Sequence, residues 1–467
     1  MRQNPNIILI VLDAVRADHL SCYGYDQPTT SFLEELAANG VLFDCAFAAA
    51  PWTPPSHASL FTGTYPSRHG VDVDENLHLS RQHPTMAEIL ALKGYASLAI
   101  LPDAHLSEAR GFHRGFEDFV EIFRIPYVSL DRNSATSLLR NLVLGRDGRA
   151  YHSSRLLKNW IHKKVRGSAQ PFFAFINYKS AHNSYRSPLP FRSRFKISPV
   201  AGQDSRKLRQ YANGGAYPYM AGGLEMTERD MEVVQSWYDG AIAYLDHTIR
   251  DLLQFLKQLG VYDDTLIIIT ADHGENFGDH GLGYHLFCLY DSLIRVPLLM
   301  SYPRLGKTGR RITNLVSLTD VLPTVLELTG CDPGDYPQIQ GKSLLPFHES
   351  EGHAHVFAEF GRPQYMLKRL AARYPQHDFS RFDRGLQCIR TPDFKLILGS
   401  DGSQELYHLP SDPAEMNNVV RDYPDEAEIL RSVLGNHLAS FRPTTGSVPS
   451  REDDLVISKN LEDLGYF

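Results

Sequence analysis

The chain carries short, apolar, β-branched runs at Ile7–Leu12, Ser97–Leu101, Phe172–Tyr178, Thr265–Thr270 and Val296–Ser301, each bounded by turn or charged residues. Helix-length stretches separate them, and that alternation predicts an α/β sheet. In Asp239–Leu259 the residues Ile242, Leu245, Ile249, Leu252, Leu253 and Leu256 recur at helical spacing, and Gly260 supplies a stop just before the run Thr265–Thr270. A second helix is expected over Thr85–Leu92, closed by Lys93-Gly94. Two stretches break the alternation and read as insertions. Leu130–Arg166 is basic and helical at best, and Ser198–Thr227, rich in Gly, Tyr and Met, has the length of a lid or of a surface excursion. After Gly341-Lys-Ser-Leu-Leu-Pro the runs shorten to His355–Phe360, Gln387–Arg390 and Phe394–Leu398. This predicts a main domain over residues 1–348 and a smaller α+β subdomain over 349–467.

With 467 residues, 43% of them hydrophobic and 22% charged, two globular domains and a large core are expected. A net charge of -7 gives no global positive field, so nucleic acid is not expected as a partner, whereas a small anion can still meet a local cationic pocket. The cysteines Cys22, Cys45, Cys288, Cys331 and Cys388 are scattered, without a C-x-x-C pair, which fits reduced, packed thiols and a reducing compartment. The apolar stretch Ile7–Leu12 is too short for a secretory core, and no other stretch has the length to span a bilayer. A soluble, cytoplasmic protein without a membrane partner is therefore expected; a homo-oligomer is left open.

Asp13 ends the first run, and in open α/β sheets ligands gather at the carboxyl ends of strands. Alone, it reads as well as a helix N-cap. Asp272-His273-Gly274-Glu275 closes the run Thr265–Thr270 in the same way, placing a carboxylate and an imidazole on adjacent turn positions, a pair suited to a divalent metal. Between them, Pro51-Trp-Thr-Pro-Pro-Ser-His leads into a helix expected to begin near Ser56. The Thr53 hydroxyl would then lie at a helix N-terminus, where free amides favour an anion. Asp13, Thr53, Asp272 and His273 could thus share one cation; simple capping by Thr53 or Ser56 is the plainer alternative.

In order and spacing, Asn6–Asp13, Leu20–Tyr25, Thr53–Gly63, Tyr65-Pro66, His69-Gly70, Gly94-Tyr95, Tyr238–Asp246, Thr270–Glu275, Arg295-Val-Pro-Leu and Asp320–Thr324 follow one pattern. It continues through Ile389-Arg-Thr-Pro-Asp-Phe-Lys395, Glu405-Leu-Tyr407 and Asp412-Pro-Ala-Glu415-Met-Asn-Asn418. Along nearly its whole length the sequence resembles the sulfatase family of the alkaline-phosphatase superfamily. The resemblance implies a mixed central sheet flanked by helices, a metal at the strand ends, and a C-terminal subdomain beside the site.

Two departures shape what is expected. The family's C-x-P-S-R, whose cysteine becomes formylglycine, reads here Thr53-Pro54-Pro55-Ser56-His57. That is similar to the threonine-nucleophile phosphodiesterases of the superfamily. Where the family carries two consecutive aspartates and a later Asp-Asn, this chain has Asp13-Ala14 and Asp272-His273. The imidazole favours manganese, zinc or iron over calcium or magnesium. A second metal would need ligands from His182, His280 or His285. In Asn177-Tyr-Lys-Ser-Ala-His182, however, Ser180 takes a usual carboxylate position, which argues for one metal.

The resemblance gives His182 to the leaving group and places His285 near an anion-binding lysine of the family; Lys179 reads either as a contact for an anionic substrate or, as its type more often does, as a solvated lysine. The expected reaction is metal-dependent cleavage of a phosphate diester, phosphonate monoester or sulfate ester through a covalent Thr53 intermediate, with His57 and the helix N-terminus holding the equatorial oxygens. A sulfuric ester hydrolase proper, a transferase using the same intermediate and an inactive binding protein are the alternatives. Arg16, Asp18 and His19 read as a helix start with ordinary surface pairing.

Overall fold

A computed structural model of the chain describes residues 4–73, 76–125, 148–185, 187–197, 204–306, 309–347 and 352–440. Part of each predicted insertion, residues 130–147 and 198–203, and the tail from 441 lie outside these. The strands are β1 (Asn6–Leu12), β2 (Val41–Phe47), β3 (Ala96–Leu101), β4 (Asp118–Glu121), β5 (Phe172–Tyr178), β6 (Thr265–Thr270), β7 (Asn276–Phe277), β8 (Gly283–Tyr284), β9 (Arg295–Ser301) and β10 (Arg310–Ser317). After these come β11 (Val356–Phe360), β12 (Leu386–Arg390), β13 (Phe394–Gly399) and β14 (Gln404–His408).

The main sheet has the order β10-β2-β9-β6-β1-β5-β3-β4. The block β6, β1, β5, β3 and β4 is parallel throughout, while β9 runs antiparallel to both β6 and β2. The sheet is therefore mixed. At its centre β1, β5 and β6 are buried along their whole length, which is why they read as unbroken apolar runs. Three strands of this sheet escaped the sequence reading. β4 and β10 are edge strands rich in polar and charged residues, and β2 is bulged opposite β9 between Phe43 and Ala46, around Asp44 and Cys45.

The long helix runs Glu228–Leu259, beginning well before the expected Asp239. A capping box of Thr227 and Asp230 starts it, and Met231, Val234 and Tyr238 extend its buried face. The Ser198–Thr227 insertion contains the short helices Ser205–Gln210 and Ala216–Met220. It is fastened to the β7–β8 hairpin, because the Gly214 amide donates to the Tyr284 hydroxyl at 2.6 Å and that hydroxyl donates to the Tyr211 carbonyl at 3.0 Å.

A second, four-stranded antiparallel sheet, β11-β12-β13-β14, is formed by the C-terminal part of the chain. The apolar cluster of Phe357, Ile389, Leu396, Leu406, Leu430 and Leu434 on it also takes in Ala49 and Tyr65. Lys395, fully buried, reaches Asp291 at 2.8 Å and Glu415 at 2.7 Å, so one ammonium ties the two sheets together. The free cysteines match the expectation of unpaired thiols, and among the described residues no helix is long and apolar enough to cross a membrane.

Candidate active site

The carboxyl ends of β6, β1, β5 and β3 lie side by side, and each delivers a polar residue: Asp272, Asp13, Lys179 and Asp103. β2 ends close by and leads through residues 48–52 into the helix Thr53–Thr62. Trp52 is extended, Thr53 opens the helix three residues earlier than expected, and Pro54 and Pro55 occupy its first turn. Those prolines correct one expectation. They have no N–H, so the helix start offers few amides to an anion and the oxyanion must find its donors elsewhere.

Asp13, Thr53, Asp272 and His273 are completely buried and converge. The Oδ1 of Asp272 accepts the amides of Ala14 at 3.2 Å and His273 at 3.0 Å, while its Oδ2 has no hydrogen-bond donor. Asn177 donates to Asp13 Oδ2 at 3.4 Å, and Asp13 Oδ1 is likewise without a donor. The His273 Nδ1–H donates to the Gly274 carbonyl at 2.8 Å. This fixes the tautomer, so the Nε2 lone pair faces Thr53 Oγ1 at 3.2 Å, Asp272 Oδ2 at 3.4 Å and Asp13 Oδ1 at 3.9 Å.

Burial lifts the Asp13 carboxyl well above its usual range, helped by the charge on Asp272, and lifts Asp272 to about 7; burial pushes His273 down to about 3. Two orphaned carboxylate oxygens and one imidazole lone pair within 4.8 Å of one another, with a hydroxyl beside them, fit a divalent cation. Among the described residues this is the one such group. His280, weighed as a further ligand, stacks instead on Tyr290 at 3.7 Å.

His57 stands behind the nucleophile. Its Nδ1–H donates to the Thr53 carbonyl at 2.9 Å, leaving Nε2 as acceptor 3.4 Å from Asn177 Nδ2. The ring lies between Phe61 and Phe175 with its Nδ1 3.5 Å from Asp272 Oδ2, and burial lowers it to about 4, so it is neutral and props Thr53. Ser56, read as a possible cap, donates to the Asp272 carbonyl at 2.6 Å and locks the helix to the end of β6.

His285 stacks on His273 at 4.3 Å between ring centres, and His182 lies 4.8 Å from His285, so both expected histidines join the site. Glu275, missed by the sequence reading, lies 3.4 Å from His285 Nδ1, and burial raises it to about 8. Lys179 is not the solvated lysine that its type suggested. Its side chain is 3% exposed and ion-paired with the fully buried Asp103, which also meets His105 Nδ1 at 3.1 Å. Asp103 ends β3 as Asp13 ends β1; that shared position is the signal that would have found it. Arg16 and His19 are also no surface pair. Tucked against the long helix, Arg16 donates to the Glu275 carbonyl at 3.0 Å and pairs with Asp279, and His19 Nδ1 lies 2.9 Å from Asp239.

The Sulfatase family model matches residues 5–331, and that of the C-terminal region of N-sulphoglucosamine sulphohydrolase matches residues 278–442. The chain belongs to the sulfatase family. As a sulfatase-family protein it is an ester hydrolase. Arylsulfatase K of Canis lupus familiaris is 24% identical over 463 residues, covering 92% of this chain and 82% of that protein. A multifunctional alkaline phosphatase superfamily protein of Trinickia caryophylli is 25% identical over 496 residues, with 91% and 93% covered. The crystal structure of the phosphonate monoester hydrolase of Agrobacterium radiobacter has the same fold, with a TM-score of 0.73 at 24% identity over 94% of this chain and 96% of that one. The alkaline-phosphatase-like sheet with a small C-terminal sheet is thus the fold that this sulfatase-family chain adopts.

Proposed function

We propose that this sulfatase-family protein hydrolyses a singly charged phosphate diester or phosphonate monoester through a covalent Thr53 intermediate, with one divalent metal. The observation that carries this reading is the Thr53 hydroxyl, 3.2 Å from the His273 lone pair and beside the two orphaned carboxylate oxygens, at the position where the family's modified cysteine belongs. Asp13 Oδ1, Asp272 Oδ2, His273 Nε2 and Thr53 Oγ1 would hold the metal. The mixed oxygen and imidazole set favours manganese, zinc or iron over calcium or magnesium. When bound, the metal supplies Lewis acidity that lowers the pKa of the hydroxyl and withdraws charge from the equatorial oxygens.

The chain's own groups do the rest. The Thr53 hydroxyl proton passes to the neutral His182 imidazole, Thr53 Oγ1 attacks phosphorus in line, and its bond forms as the bond to the leaving oxygen breaks. His57 holds Thr53 through its carbonyl. His182 meets the leaving oxygen. Burial and the charge of Lys179 keep this imidazole neutral before substrate binds, so it can take the Thr53 proton and hand it to the leaving oxygen as negative charge develops there. Water then attacks phosphorus, its oxygen joins the product, and Thr53 leaves with the proton.

Phosphorus is favoured over sulfur by this second step. A threonine ester lacks the geminal hydroxyl through which formylglycine expels sulfate by carbon–oxygen cleavage, so the displacement must occur at the central atom. Aryl sulfate, phosphate monoester, phosphate diester and phosphonate monoester, each assayed with manganese, zinc and calcium, test the proposal. Diester or phosphonate turnover that needs metal and falls at least about a thousandfold in Thr53→Ala is expected, together with a phosphoryl adduct on Thr53 in quenched mass spectra. Dominant sulfate turnover, or turnover indifferent to Thr53, would overturn it.

A further inference from the structure

β3 and β5 are parallel neighbours, so Asp103 and Lys179, one or two residues past their ends, emerge at the same level as Asp13 after β1. They form an ion pair with side chains 0% and 3% exposed, the most buried cation–anion contact facing the Thr53 site. Asp103 is held from its other side by the His105 amide at 2.9 Å and the His105 ring at 3.1 Å, which fixes the carboxylate toward Lys179. The ammonium of Lys179 acts on Asp13, His57, His182 and His285, and Asp103 acts on the same four groups with the opposite sign. To this site the pair presents a dipole in which Asp103 offsets part of the Lys179 charge.

The remaining charges can be counted. Asp13 and Asp272 together would balance a divalent metal, burial keeps the His273 and His57 imidazoles neutral with their Nδ1–H groups on carbonyls, and burial raises Glu275 to about 8, so that it is mostly protonated near pH 7. With Lys179 partly offset by Asp103, the site keeps less than one surplus positive charge before substrate arrives. A transferred group with one negative charge leaves at most a single charge to be dispersed, whereas a dianionic phosphoryl group brings a second one into a water-poor site where each unit charge weighs heavily.

We propose that Asp103 is a specificity-determining residue that offsets the charge of Lys179 and thereby tunes the Thr53 site to singly charged esters and against dianionic phosphate monoesters. This rests on the ester-hydrolase reading with Thr53 as nucleophile. Removing the carboxylate while keeping its shape releases the ammonium and admits the second charge; removing the ammonium leaves a buried carboxylate that repels dianions most.

The test is the ratio of kcat/KM for p-nitrophenyl phosphate, a dianion at pH 8, to that for the better of bis(p-nitrophenyl) phosphate and p-nitrophenyl sulfate, both monoanions. A ratio is insensitive to the fraction of enzyme folded, which separates charge selection from structural damage. Asp103→Asn is expected to raise it about tenfold or more, Asp103→Glu to return it to within about threefold of the wild type, and Lys179→Gln to lower it. A ratio unchanged or lowered in Asp103→Asn would overturn the inference. Where Asp103→Asn does not fold, Lys179→Gln decides, and an unchanged or raised ratio overturns it. Loss of selectivity control with Thr53-dependent turnover intact sinks this inference alone; wild-type enzyme without Thr53-dependent turnover of any ester removes the parent reading, and this one with it.

Discussion

His69 is wholly buried, with its Nε2 3.0 Å from Ser59 Oγ, and the Val71 amide donates to its Nδ1 at 3.0 Å. The amide at Nδ1 leaves no room for a second proton, and burial pushes the imidazole down to about 3. Below about pH 6.5 the unfolded chain therefore takes up a proton that the folded chain refuses, and stability falls by up to ~1.4 kcal/mol per pH unit until the folded pKa is reached. Urea melts at pH 7 and pH 5 should show His69→Gln with a correspondingly flatter acid slope; an unchanged slope would refute this. Single residues were legible where position and chemistry coincided. Asp13, Asp272 and His273 follow apolar runs directly, so their place at strand ends could be read, as could Thr53 from its motif. Asp103 was legible only by its place after β3, and His105 and Glu275 not at all, because nothing in their spacing says that β3 lies beside β5 or that the turn after His273 folds back on His285.

The helix Ser31–Ala37 has no side-chain cap of its own at Thr30. Asp246, from the middle of Glu228–Leu259, supplies one, accepting the Phe32 amide at 3.1 Å and the Leu33 amide at 2.9 Å. Asp246→Ala should lose about 1–2 kcal/mol at pH 7.5, read as a lower urea midpoint at unchanged m-value, while a loss below ~0.3 kcal/mol would deny the cap its role. A partner 214 residues away along the chain is invisible to any local reading. The same holds for whole elements. β1, β5 and β6 announced themselves because both of their faces are covered, whereas β2, β4 and β10 carry polar residues at an edge or bulge and look like loops. The early turns of Glu228–Leu259 went unassigned between the insertion and the expected helix because the apolar stripe there is interrupted by charge.

Across the whole molecule, the junction of the two sheets depends on Lys395, whose ammonium serves Asp291 from one side and Glu415 from the other, with Arg390 3.5 Å from Asp291. Burial by itself would expel this charge; the two carboxylates raise its pKa instead. Lys395→Met leaves both carboxylates buried and uncompensated, and a loss of about 3–5 kcal/mol is expected, visible as a lower Tm in calorimetry. A Tm within a degree of the wild type would show that the two sheets are held by apolar contacts alone.

The sheet order also has a consequence for how the protein is made. β1 is buried along all seven of its residues, yet its two neighbours are β5, which begins at Phe172, and β6, which begins at Thr265. A ribosome adding about 5–20 residues each second delivers the last of these flanks roughly 10–50 s after the first strand has emerged. Throughout that interval an apolar ribbon with open edges waits for partners not yet synthesised, and this is when the nascent chain is most exposed to aggregation and most in need of a chaperone's shelter.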